Sequence, residues 1–201
     1  FSFYSDSKNY ATPRAIAVDN KYIYMVVKSQ SGSGPNQPDK DIEPFIAIFD
    51  KSADGWPQPV RTIQGGNTLM SKYDSFAQIA VNSDYIFLID RDHSTGSCRI
   101  LVYDIFANGD AAPLRRIEGP NTGLNAQSGG GGVPYDILVD QNYIYATVHI
   151  GGDVNLNVFP IDADGDATPD HTVPSSWTNN THINRIAIDS DNLYVEWLNN
   201  K

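Results

Sequence analysis

Apolar and polar positions fall in blocks along this chain, and one block pattern is written four times: "VDNKYIYM" at 18–25, "VNSDYIFL" at 81–88, "VDQNYIYA" at 139–146 and "IDSDNLYV" at 188–195. An apolar run precedes each phrase ("AIAV", "QIAV", "DILV", "RIAI"). Two or three polar residues break it, and a Tyr/Ile/Leu/Phe run follows. Short β-branched and aromatic runs split by Asp, Asn or Ser predict paired strands joined by a tight turn. Consecutive apolar residues, in place of strict alternation, predict strands covered on both faces. The anchors Asp19, Asn82, Asp140 and Asp189 stand 63, 58 and 49 residues apart, so the unit is about fifty residues.

A second pattern lies downstream. "FDKSADGWPQPVRTI" (49–63), "YDIFANGDAAPLRRI" (103–117) and "FPIDADGDATPDHTV" (159–173) align without a gap. Asp54-Gly55, Asn108-Gly109 and Asp164-Gly165 predict tight hairpin turns with φ > 0 at both central residues. Pro59, Pro113 and Pro169 have no N–H to donate and so predict an outermost edge strand.

Each unit therefore reads as four antiparallel strands, and repeated four-stranded units predict an all-β fold, a β-propeller. The ring is expected to be four-bladed, with blades at about 14–65, 75–119, 133–175 and 183–201. The last has no second strand pair, and residues 1–6 are expected to close it. The alternative is part of a larger propeller. The opening "FSFY" is read as following a processing site or an excision boundary.

The pattern "IAVD..YIY" followed by "A.GD..P.R.I.G" resembles the NHL-like propeller repeats of bacterial secreted and surface proteins. The resemblance covers nearly the whole chain. Where those repeats place Gly, this chain has Ala15, Gln78, Asp136 and Arg185. The resemblance implies a rigid extracellular binding platform.

Composition narrows the partners. Hydrophobic residues make up 40%, with eleven Tyr and eight Phe, which suits strands and a packed core. A formal net charge of -10 argues against phosphate backbones and anionic membrane surfaces. No apolar run is long enough for a spanning helix. The single Cys98 forms no intrachain disulfide and reads as a small buried hydrophobe.

Topology sends the long loops 29–44, 65–76, 91–97, 119–134, 150–153 and 174–183 to one face, where function concentrates. At that rim Gln78, Asp136 and Arg185 are candidates for an asymmetric polar ligand; the alternative is an Asp136–Arg185 structural ion pair. Lys28, Asp90, His149 and Trp197 end the second strands near the same rim, with Trp197 alternatively packed between blades. The 174–183 loop adds Trp177, Asn179, Asn180 and His182. Exposed Trp beside Asn, Asp and His is the mixture that sugar sites use.

Metal has two candidate places. "IDADGDATPD" (161–170) spaces carboxylates like a calcium loop but lacks the sixth-position Gly and terminal Glu, so it reads as a hairpin turn. Asp19, Asp140 and Asp189 read as turn caps, or as a carboxylate ring for an axial cation such as calcium. "SGGGGVP" lacks the Lys-Ser/Thr of a phosphate loop. The four His fall in no metal-ligand spacing, and no nucleophile elbow is present.

These readings converge on a non-enzymatic extracellular or surface module whose loop face recognises a glycan or protein. The alternatives are a self-assembling subunit of a larger complex and, last, a metal-dependent hydrolase or lyase.

Overall fold

The computed structural model describes residues 11–29, 43–71, 77–91, 97–124, 133–150, 153–174, 182–189 and 192–198. They form an all-β fold of four antiparallel sheets taken in chain order. The first holds β1 (Ala11–Val18), β2 (Tyr22–Ser29), β3 (Phe45–Asp50) and β4 (Arg61–Gln64). The second holds β5 (Ala77–Val81), β6 (Tyr85–Arg91), β7 (Cys98–Asp104) and β8 (Arg115–Ile117). The third holds β9 (Val133–Val139), β10 (Tyr143–Ile150), β11 (Asp153–Pro160) and β12 (His171–Val173). The fourth holds β13 (His182–Ile188) and β14 (Leu193–Leu198).

All four repeated phrases are hairpins. Val18 pairs with Ile23, Val81 with Ile86, Val139 with Ile144 and Ile188 with Leu193. First strands of successive sheets lie side by side: β1 by β5, β5 by β9, and β9 by β13.

Burial on both faces falls on the second and third strands. Tyr24, Val26, Ile46 and Ile48 pack on Ile86, Leu88, Leu101 and Tyr103 between sheets one and two. Phe87, Ile89 and Ile100 meet Ile137, Ile144 and Phe159 between sheets two and three. Leu156 and Val158 meet Ile183 and Ile186 between sheets three and four. Each such side chain contributes about 1.5–3 kcal/mol by leaving water. The first strand is different from expectation. Ala15 and Ala17 of β1 pack on the second sheet, while Ile16 and Val18 on its other face are 60% and 50% exposed.

The third-to-fourth-strand turn also departs from expectation. Links of residues 51–60, 105–114 and 161–170 replace the tight hairpin. Gly55, Gly109 and Gly165 take φ of 70°, 64° and 60°, but the Asx residues before them do not take positive φ. A type I′ turn needs both. Pro59, Pro113 and Pro169 lie in these links, two residues ahead of the short outer strands. The first sheet begins at Ala11. The expected closing strand lies outside the described residues.

Candidate functional site

The four hairpin turns explain the carboxylates at the ends of the first strands. Asp19 Oδ1 accepts from the amides of Lys21 (2.6 Å) and Tyr22 (2.5 Å), and Oδ2 from the Tyr24 hydroxyl (2.7 Å). Asp140 holds Asn142, Tyr143 and the Tyr145 hydroxyl in the same way, and Asp189 holds Asn192 and the Tyr194 hydroxyl. The second sheet has Asn82, which caps Asp84 and Tyr85, and Phe87 in place of the tyrosine. Burial raises the Asp19 carboxyl, but these hydrogen bonds win and hold it below its usual range. Oxygens committed in this way to amides and phenols are turn caps. Among the described residues no group of three or more His, Cys, Asp or Glu is placed to hold a metal ion.

A second recurring device joins neighbouring sheets. The Arg61 guanidinium, at the start of β4, donates to the carbonyls of Ile105 (2.8 Å) and Ala107 (3.1 Å) in the second sheet's link. Thr62 N–H donates to Asn108 Oδ1 (3.2 Å), and Gly109 N–H to the Thr62 carbonyl (2.7 Å). Gln64 N–H donates to the Gly109 carbonyl (2.9 Å). Asp110 then receives Asn67 N–H (2.7 Å) and its side-chain amide (2.9 Å). The next junction repeats the pattern with Arg115, Arg116, Glu118 and Asn121 on Ile161, Ala163, Asp164, Gly165 and Asp166.

This junction decides the calcium-like stretch. The Arg116 amide, followed by other donors and nearby arginines, holds the Asp164 carboxyl below its usual range. Asp166 is spent on Asn121. Two of the three alternating carboxylates therefore grip the preceding sheet and do not converge on an ion.

The rim residues Lys28 and Asp90 are corrected too. Both are 0% exposed, with Lys28 Nζ 2.8 Å from Asp90 Oδ1. Arg99 Nε and Nη2 reach Asp90 Oδ2 at 3.1 and 3.0 Å, and the Ser71 hydroxyl donates to the same oxygen at 2.7 Å. Burial would raise the Asp90 carboxyl, but Lys28, Ser71 and Arg99 hold it down. A charge pair this deep is a bolt between sheets one and two.

Bulges set the remaining rim positions. Register shifts fall at Arg14, Tyr135 and Asn184, one residue before Ala15, Asp136 and Arg185. Bulges re-aim the side chains beside them. Asp136 Oδ1 accepts from Ile137 N–H (3.1 Å) and Oδ2 from Ile186 N–H of β13 (3.4 Å). Burial raises its carboxyl, with those amides and the Arg185 charge opposing. Among the described residues its partners are main-chain amides and not the exposed Arg185 guanidinium, so the expected ion pair is replaced by a link from β9 to β13. Gln78 is half-buried on β5.

His149, His182 and Trp197 lie on β10, β13 and β14, with side chains outside the described set. Trp177, Asn179 and Asn180 lie outside the described residues altogether, as do most of the long loops.

What the sequence reading missed is a groove of about 400 Å³ beside the first junction, lined among others by Asn20, Tyr22, Arg61, Asn82, Ser83 and Phe106. The Arg61 guanidinium lies 5.3 Å from the Tyr22 ring centre and 5.9 Å from that of Phe106. Phe106 is 75% exposed. The recurrence of Arg61 and Arg115 at one offset was the available clue, because an Arg that repeats with the fold has a repeating acceptor.

No protein-family model matches this chain, and no curated protein matches it.

Proposed function

We propose that the chain is a non-enzymatic binding module, secreted or surface-displayed, whose four sheets are the blades of a four-bladed β-propeller. Side-by-side first strands and burial between successive sheets support that architecture. The observation that carries the binding reading is the groove at the first junction, with the exposed Phe106 ring beside Tyr22, Asn82 and Arg61. An apolar ring face next to polar groups suits a glycan: the Phe106 ring stacks on C–H faces while the exposed Asn20 amide in the same groove addresses hydroxyls. The carboxylates of Asp19, Asp90 and Asp140 are bound into the frame, which favours recognition over acid–base chemistry.

A glycan-array screen with and without calcium, on protein of checked mass, tests this reading. Sugar binding that falls at least tenfold in Phe106→Ala supports the groove. Binding lost in Trp177→Ala and kept in Phe106→Ala moves the site to the long-loop face. A monomer that binds no sugar overturns the glycan reading and favours the assembly subunit, for which the exposed Trp56, Val60 and Leu114 provide apolar surface.

A further inference from the structure

Among the described residues the same joint is built twice, and its receiving half appears a third time with altered chemistry. The links of sheets two and three each hold the preceding sheet's outer strand through an Asx side chain, a Gly main chain and an Asp. In the first sheet the equivalent residues are Asp54, Gly55 and Trp56. Gly55 has the same left-handed φ, 70° against 64° and 60°, so the turn has the same shape although among the described residues no strand pairs with it. Among the described residues Gly55 N–H meets only Asp54 Oδ1, at 2.8 Å. Beside it, Asn20, Lys21, Asp50, Lys51 and Ser52 line an open depression of about 430 Å³. At the same offsets in sheet two, Ser83, Ile105 and Phe106 line the groove that Arg61 enters.

Two substitutions invert the receiver. Lys51 stands where Ile105 and Ile161 stand, and Trp56, 75% exposed, stands where Asp110 and Asp166 stand. The Lys51 ammonium donates to the Asp19 carbonyl at 3.3 Å, on the depression that matches the groove Arg61 enters, so an incoming Arg at the Arg61 position approaches a cation. A Gly-x-Asn loop finds no carboxylate to cap it, because the indole has replaced the acceptor. The chain's own outer strands, Arg61–Gln64 and Arg115–Ile117, are thereby turned away from this turn, which is specificity by mismatch. β12 is unsuited as well. It carries His171 in place of the Arg, and Pro174 has no N–H where Gln64 and Glu118 donate to Gly109 and Gly165. A second copy docking through β12 is therefore not the occupant.

We propose that the turn of residues 50–57 is a docking site for an extended strand of a separate protein partner, bound by β-addition and of opposite character to the internal strands. The partner carries an acidic residue where β4 has Arg61, facing Lys51, and an apolar residue where the chain has Gly65, on Trp56. Its main chain pairs with Asp54 and Gly55 as Thr62 and Gln64 pair with Asn108 and Gly109. The carbonyls of Lys51 and Ala53, which belong to exposed residues, stay in water.

The test uses the full chain and two capped peptides: residues 59–65 as they stand (PVRTIQG), and the same segment with Arg61→Glu and Gly65→Phe (PVETIQF). Chemical shifts of the Gly55 amide and Trp56 indole report binding, with the indole assigned through Trp56→Phe. PVETIQF is expected to bind saturably at this turn, at least tenfold tighter than PVRTIQG, and to lose at least tenfold against Asp54→Ala. The Lys51→Ile, Trp56→Asp protein, which restores the internal-joint residues, is expected to reverse the preference. No shift with either peptide overturns the proposal. Equal binding of both reduces the turn to a nonspecific apolar surface and also overturns it. Concentration-dependent self-association abolished by Trp56→Asp identifies a second copy as occupant and overturns the choice of partner. None of these outcomes depends on whether the groove beside Phe106 takes a glycan.

Discussion

The Tyr24 hydroxyl donates to Asp19 Oδ2 at 2.7 Å, five residues back across the first hairpin, and where the second sheet has Asn82 in place of the aspartate it has Phe87 in place of the tyrosine. Acid and phenol are therefore exchanged together. Tyr24→Phe is expected to cost about 1 kcal/mol, the size of one lost internal hydrogen bond. Asp19→Asn alone keeps the turn cap but weakens the bond to the phenol. The double variant Asp19→Asn, Tyr24→Phe recreates the second sheet's pair and is expected to cost less than the sum of the single changes. Urea denaturation of the four proteins measures this coupling.

The third sheet has a spectroscopic version of the same pair. Burial, and after it the Asp140 hydrogen bond, pushes the Tyr145 phenol up to about 12. A phenol in the unfolded chain titrates near 10. The raised value stabilises the fold fully below pH 10, and that contribution is lost as pH rises from there through 12. Ultraviolet titration is expected to show a late-ionising tyrosine that titrates earlier in Asp140→Asn.

The close approach at the first junction sets a glycine. A Cβ at Gly65, where φ is 135°, would lie 2.3 Å from Asp110 Oδ1; at Gly119, φ 147°, it would lie 2.2 Å from Asp166 Oδ1. Gly65→Ala combines strained backbone with displacement of the carboxylate that caps Asn67. A loss of about 1–3 kcal/mol is expected, read as a fall of several degrees in Tm by calorimetry. Gly55→Ala, with open space around it, is expected to cost less because only the backbone term remains.

Removing the Asp90 carboxylate leaves the buried Lys28 charge without its partner, whereas removing Lys28 leaves Asp90 with Arg99 and Ser71. Asp90→Asn is expected to cost about 3–5 kcal/mol, and Lys28→Met less. Because the folded Asp90 carboxyl lies below its unfolded value, its contribution is complete above about pH 4 and is lost as pH falls through the folded value. Acid denaturation followed by circular dichroism is expected to begin at higher pH in Arg99→Met, which removes part of the charge holding that carboxyl down.

The hairpins were legible because the hydrophobic period and the Asx turns speak locally: Asp19 to Tyr22 is one turn, and everything that caps it lies within five residues. The joints were not legible for the same reason. Asn108-Gly109 looks like a hairpin turn from within its own link, yet its side chain and main chain serve Thr62 and Gln64 of the sheet before. Lys28 and Asp90 misled through phase. Lys28 leaves β2 on the face of Tyr24 and Val26, and Asp90 leaves β6 on the face of Ile86 and Leu88. Two residues that looked like neighbours on a rim therefore meet between the sheets. The long loops expected to carry the site lie mostly outside the described residues, and Trp177→Ala in the glycan screen tests them.

The joint also has a consequence in time. Arg61 finds its acceptor at Ala107, 46 residues later in the chain. During synthesis at about 5–20 residues per second, β4 leaves the ribosome roughly two to nine seconds before its receiver exists. With four residues, it is too short to hold a sheet edge unaided. β4 and β8 thus each wait on the translation of the next unit, and a pause of the ribosome between the two would leave a newly made edge open to the wrong neighbour.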